Sequence, residues 1–175
     1  MSLRIKENYY QSLFDKGLNE FNTKNYSAAL TYFFGTGFKD SPTYHNISLC
    51  YYNMSNSFYD LRNYNEAKNH YNSCLSYAID TELKRNSNSM INNCNANIIF
   101  DKANNCLHNK IYFEAFNLYN EAEKKFSNNE DIKICQENKG HCLYNYSNKL
   151  MNESKTESDF NKVIDSYKKA MGILY

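Results

Sequence analysis

Four stretches of this chain write the same face of a helix, and that repetition constrains the fold more than any other feature. They are Tyr26-x-x-Ala29-x-x-x-Phe33-x-x-Thr36, Tyr64-x-x-Ala67-x-x-x-Tyr71-x-x-Cys74, Tyr112-x-x-Ala115-x-x-x-Tyr119-x-x-Ala122 and Phe160-x-x-Val163-x-x-x-Tyr167-x-x-Ala170. Each sets an aromatic, a small or β-branched residue, a second aromatic and a second small residue at offsets 0, 3, 7 and 10. Those offsets follow the 3.6-residue period of an α-helix.

Upstream of each stretch lies a second helical segment carrying its own small residue: Gly17, Ser55, Ala103 and Gly140. The spacing to the small residue of the next helix is 12 in the first three cases, Gly17 to Ala29, Ser55 to Ala67 and Ala103 to Ala115. In the fourth it is 23, Gly140 to Val163, which implies about 11 inserted residues around Leu150-Met151-Asn152-Glu153-Ser154-Lys155. Constant spacing within pairs and variable spacing between them make the helix hairpin the unit. The reading is all-α, with eight helices at about 4–22, 26–38, 43–61, 64–79, 88–108, 112–126, 130–150 and 157–174. They pair into repeats at about 4–38, 43–79, 88–126 and 130–174 of a single domain. Between the second and third repeats, either the helices are longer than usual or a loop intervenes near Asn86-Ser87-Asn88.

Composition agrees. One proline and five glycines among 175 residues leave too little turn chemistry for a β-rich fold. Seventeen tyrosines and eleven phenylalanines supply the apolar bulk. Twenty basic and nineteen acidic side chains balance, without a basic run, so no nucleic-acid partner is expected. Apolar runs are far too short for a membrane span, and Met1-Ser2-Leu3-Arg4-Ile5-Lys6 lacks the apolar core of a secretory leader. The expectation is a cytoplasmic protein. Cys50, Cys74, Cys94, Cys106, Cys135 and Cys142 form no C-x-x-C pair, several fall on apolar stripes, and they read as reduced thiols. The last helix carries an apolar stripe of Phe160, Val163, Ile164, Tyr167, Ala170, Met171 and Leu174 and a polar opposite face, as a terminal repeat requires.

No phosphate-binding glycine loop, nucleophile elbow or H-E-x-x-H occurs. Cys106 with His108, and His141 with Cys142, match no ligand spacing. Five N-x-[ST] sequons, at Asn25, Asn46, Asn53, Asn145 and Asn152, are expected by chance in so Asn-rich a chain and are read as unused. No metal, no cofactor and no enzymatic activity are expected.

The segments resemble the tetratricopeptide repeat, whose pattern is W-x2-L-G-x2-Y, then A-x3-F, then P. The second repeat carries it best, with Tyr51-x2-Met54-Ser55-x2-Phe58 followed by Ala67-x3-Tyr71. The departures are the missing Trp, Glu20 in an aromatic slot, Lys102 and Lys139 in apolar slots, and Pro42 alone near an expected proline. The anchors Ala29, Ala67, Ala115 and Val163 also stand 38, 48 and 48 residues apart, against about 34 in the family. The resemblance implies a right-handed superhelical solenoid whose first helices line a concave groove that binds a peptide or helix of a protein partner.

Columns of that groove carry over by offset from the small residues. Three before them stand Phe14, Tyr52, Phe100 and Glu137; two before, Asp15, Asn53, Asp101 and Asn138; one after, Leu18, Asn56, Asn104 and His141; four after, Phe21, Tyr59, Leu107 and Tyr144. Co-chaperone members grip a C-terminal carboxylate with Lys and Asn in the outer two of the first three columns; no Lys stands there, so that mode is not expected. The Asn/Asp column resembles the asparagine ladder with which some members hold a peptide backbone, though an Asn-rich chain supplies such a column by chance as readily. Aromatic anchors beside Asp15, Asp101 and Glu137 favour an apolar partner segment with Lys or Arg next to it. The alternative is a structural subunit that uses its edges or convex face; a monomer is otherwise the expectation.

Overall fold

The structure, a computed structural model, describes residues 3–37, 39–154 and 156–174, with side-chain placement for all of these except 3–5, 160, 173 and 174. Phe38, expected to close the second helix, and the Phe160 and Leu174 side chains of the last stripe lie outside the described residues. Among those described there are eight helices and no strand: α1 (Leu3–Asn22), α2 (Tyr26–Gly35), α3 (Ser41–Asp60), α4 (Tyr64–Tyr77), α5 (Thr81–His108), α6 (Tyr112–Glu123), α7 (Asn129–Glu153) and α8 (Glu157–Leu174). The chain divides into two compact units, Met1–Cys94 and Asn95–Tyr175, so the division falls inside α5. No helix is long and apolar enough to cross a membrane among the described residues.

Three hairpin turns share one backbone design. Lys24, Arg62 and Lys110 adopt the left-handed conformation, at φ 63°, 59° and 61°. Their amides donate to the carbonyls three residues back, those of Phe21, Tyr59 and Leu107. The next amides, of Asn25, Asn63 and Ile111, donate to the carbonyls five back, those of Glu20, Phe58 and Cys106. Together these bonds satisfy carbonyls that the helix end would otherwise orphan. The left-handed conformation costs an L-residue about 1–2 kcal/mol. A cation at a helix C-terminus recovers part of that against the helix dipole, which suits Lys or Arg to the position.

Polar caps start the longer helices. Asp40 accepts from the Thr43 amide at 2.9 Å ahead of α3, whose first turn carries Pro42. Asp80 accepts from the Leu83 amide at 2.7 Å, and Asn128 from the Asp131 amide at 2.8 Å. Before α8, Thr156 and Asp159 cap each other reciprocally: the Thr156 hydroxyl donates to the Asp159 carboxylate at 2.7 Å and accepts from the Asp159 amide at 3.2 Å.

The Asp80 cap settles the segment near residue 86. α5 begins at Thr81, and no loop interrupts Asn86-Ser87-Asn88. Polar Asn and Ser hide the helix there from any search for apolar periodicity. Ser87 is nevertheless fully buried, its hydroxyl 3.3 Å from the thiol of Cys74.

Inside each unit the repeated face is the core. Ala29, Phe33 and Thr36, Ala67, Tyr71 and Cys74, Ala115, Tyr119 and Ala122, and Val163 with Ala170 are all buried. In the first unit Ala29, Leu30, Phe33, Ile47 and Cys50 form one cluster; in the second, Ala103, Ala115, Tyr119 and Cys142 form another. Small residues let the helices close on each other, and the rings fill what remains. A Cβ at Gly17 would stand 2.6 Å from Cε1 of Phe33, so the ring lies directly on the glycine.

Candidate functional site

The proposed groove columns rest on hairpin geometry, and three hairpins show it clearly. The residue three before the small one packs against the second-helix aromatic. Phe14 lies 5.5 Å from Phe33 between ring centroids, Tyr52 5.7 Å from Tyr71, and Phe100 5.3 Å from Tyr119. The residue after the small one closes the contact. Tyr71 donates its hydroxyl to the Asn56 side-chain oxygen at 2.5 Å, and Tyr119 donates to Asn104 at 2.5 Å. In the first hairpin the ring is Phe33, which has no hydroxyl, and the matching residue is Leu18, which has no amide.

The fourth hairpin corrects the register read from sequence. Tyr167 donates to Asn148, not to His141, and its ring packs edge-on against Tyr144 at 5.8 Å. By these two contacts the small residue of this hairpin is Ser147; Gly140, also buried, stands two turns earlier on α7. Ser147 to Val163 spans 16 positions, so the excess over the other hairpins is 4 residues rather than about 11. Residues Leu150 to Glu153, read as inserted, continue α7.

This changes the fourth member of every column. Tyr144 moves to the aromatic column, beside Asn145 and ahead of Asn148 and Met151. Glu137, Asn138 and His141 each lie seven residues, about two turns, before their replacements on the same helix. Glu137 and His141 are exposed and Asn138 half-buried. Glu137 stands 3.9 Å from Lys133, an exposed pair. A signal for the right register was present: Tyr52-Asn53-Met54-Ser55-Asn56 and Tyr144-Asn145-Tyr146-Ser147-Asn148 match at four of five positions.

The other candidate residues are placed as follows. Phe14, Tyr52, Asn53, Asn56, Tyr59, Phe100 and Asp101 are half-buried, whereas Asp15 and Asn104 are exposed. Tyr59 also packs edge-on to Tyr64 at 5.3 Å. Asn56 and Asn104 use their side-chain oxygens inside their own hairpins. Tyr52 and Phe100 carry hairpin packing on one side of the ring. Of the aromatic column, Tyr144 is the most open, at 50 % exposure, with Met151 two turns on at 54 %.

The next column presents mostly acceptors. Asn53 donates its amide to the Leu49 carbonyl at 2.8 Å, and Asn145 donates to the His141 carbonyl at 3.0 Å. Each amide turns one of its two N–H groups back onto its own helix, and the side-chain oxygen stands in the column as an acceptor. Asp15 and Asp101 supply carboxylates at the matching places.

Lys139 had no place in an apolar slot by pattern alone, and the structure explains it. Its ammonium pairs with Glu123 across α6 and α7 and donates to the Asn120 oxygen at 3.3 Å. Burial would raise the Glu123 carboxyl, but the Lys139 and Gln136 bonds hold it below its ordinary value. Burial pushes the Tyr71 and Tyr119 hydroxyls well above theirs. Among the described residues no group of three His, Cys, Asp or Glu side chains is placed to hold a metal ion. Comparison with protein-family models and with curated proteins finds no match to the chain.

Proposed function

We propose that the chain is a tetratricopeptide-like protein-interaction module, without catalytic activity, that binds a partner segment along the first-helix columns. The supporting observation is the aromatic column itself: each hairpin sets a ring at the same place on its first helix, and Tyr144 keeps half its surface open, as does Met151 two turns on. The adjoining oxygens of Asp15, Asn53, Asp101 and Asn145 suit a partner that brings donors, so the segment is apolar with Lys or Arg next to it. Six free cysteines, five of them buried, fit work in the reducing cytoplasm.

The test begins with a partner captured from the native source and its bound segment mapped. Tyr144→Ala with Met151→Ala, each about half exposed, should then weaken that segment by roughly 2 kcal/mol, the scale of an interface hot spot, with the chain still folding cooperatively despite the lost Tyr144–Tyr167 ring contact. Asp101→Lys should weaken binding further and reduce its salt dependence. Full binding by all these variants would reject the columns as the contact and favour a structural subunit that binds through another face.

A further inference from the structure

One position of the hairpin repeat holds a stacked ring in the second hairpin and only a serine in the fourth. Three residues after the small anchor of the second helix stand Tyr32, His70, Leu118 and Ser166. In the first unit His70 shows what belongs there. Its ring stacks on Phe58 at 5.1 Å and 8°, and on Tyr51 at 6.0 Å and 27°. Tyr51 and Phe58 are seven residues apart on α3, about 10.5 Å along the axis. The imidazole therefore sits between them as the middle layer of a stack.

In the second unit the corrected register sets Leu143 and Leu150 at the places of Tyr51 and Phe58, and Ser166 at that of His70. A cleft of ≈ 630 Å³ lies there, within the size range of ligand pockets. Leu143, Leu150 and Ser166 line it, and Phe113 and Tyr146, 5.7 Å apart between ring centroids, form an aromatic wall. Its rim carries the carboxylates of Glu153, Asp159 and Asp165 against the ammonium groups of Lys162 and Lys169. Lys162 already lies 3.7 Å from Asp159. Seven residues advance a helix by two turns less about 20°, so Leu143 and Leu150 share one face of α7. That face is turned well away from the face of Tyr144 and Met151, and the cleft is distinct from the columns above.

We propose that this cleft receives one aromatic side chain of a partner polypeptide, with a basic residue beside it, in the place that His70 fills from within the first unit. The ring slides between Leu143 and Leu150 against Phe113 and Tyr146, burying a flat apolar surface where the fold supplies only a serine. The excess of carboxylates on the rim favours a cation next to that ring.

The test titrates the full chain with capped Lys-Trp-Lys, Gly-Trp-Gly and Glu-Trp-Glu peptides and with free indole, following backbone amide chemical shifts. The expected result is saturable shifts at Leu143, Tyr146, Leu150 and Ser166. Lys-Trp-Lys should bind about tenfold more tightly than Glu-Trp-Glu, and both more tightly than indole. Ser166→His should abolish these shifts by filling the space. His70→Ser should open a second saturable site, with shifts at Tyr51 and Phe58. Indole binding as tightly as the peptides would overturn the polypeptide assignment. Peptide binding that ignores the flanking charge would overturn the basic neighbour. Shifts that survive Ser166→His, or that never localise to this cleft in either the native chain or His70→Ser, would overturn the site. These readouts are independent of Tyr144 and Met151, so neither proposal stands or falls with the other.

Discussion

Tyr71 and Asn56 stand 15 residues apart in sequence and meet at 2.5 Å, hydroxyl to side-chain oxygen, to lock α4 onto α3. Tyr119 and Asn104 repeat the contact, and Tyr167 and Asn148 repeat it again. Where the ring is Phe33, the partner is Leu18, so the chain carries both a polar and an apolar solution to one packing problem.

That equivalence predicts the outcome of a double-mutant cycle. Tyr71→Phe should cost about 1 kcal/mol, and Asn56→Leu about 1–3 kcal/mol because it strands a buried hydroxyl. The pair together should recover much of the loss, since it recreates the Phe33–Leu18 arrangement. Urea unfolding gives the coupling energy. Strictly additive losses would show that the bond contributes nothing beyond its parts.

Two of the helical glycines, Gly17 and Gly172, should respond oppositely to alanine. At Gly17 the new methyl meets three Phe33 ring atoms at 2.6–3.0 Å, inside the buried cluster. Overpacking of that kind costs about 1–3 kcal/mol, more than the roughly 1 kcal/mol that helix propensity returns. At Gly172 nothing lies within 4 Å, so Gly172→Ala should stabilise by up to about 1 kcal/mol. Thermal melts of the two variants decide it, and stabilisation at Gly17 would contradict the packing.

The register of α7 can be read from stability alone. Ser147→Leu should destabilise by about 1–3 kcal/mol, because Ser147 is fully buried against the α8 contact. His141→Leu, at an exposed site, should stay within about 0.5 kcal/mol. The reverse ranking would restore Gly140 and His141 as the hairpin contact.

Alkaline pH should unfold the protein through its thiols. Burial pushes Cys50, Cys135 and Cys142 up to about 12 and Cys94 up to about 11, from an ordinary value of 9.0. Between those values the unfolded chain has released protons that the folded chain retains. Stability from this source is therefore complete below about pH 9 and falls as pH rises toward 12. The urea midpoint should be flat near neutrality and decline above about pH 9. At about pH 8 a disulfide reagent should reach half-buried Cys106 first and the other five thiols only on unfolding. Prompt reaction of all six would contradict the burial.

Helix existence and pairing were legible because they rest on local rules. The aromatic–small pattern at offsets 0, 3, 7 and 10 marks a face wherever it occurs, and that face is the one buried. The basic residues of the shared turn, Lys24, Arg62 and Lys110, are legible too, two positions before Tyr26, Tyr64 and Tyr112. The start of α5 was not legible, since its first turns carry polar residues and one of them, Ser87, is buried only by meeting Cys74.

The sequence by itself determined an all-helical chain of hairpins, which residues form each apolar face, and small residues where helices close. Only tertiary structure decided which small residue of α7 makes the contact. Gly140 and Ser147 are seven residues apart, which is two turns less about 20°, so they stand on the same face and periodicity cannot separate them. What separates them is the partner: Tyr167 reaches Asn148 and Tyr144, and that meeting depends on the length of the connection between α7 and α8. The open place at Ser166 has the same origin, because an empty space belongs to no residue and exists only between packed helices.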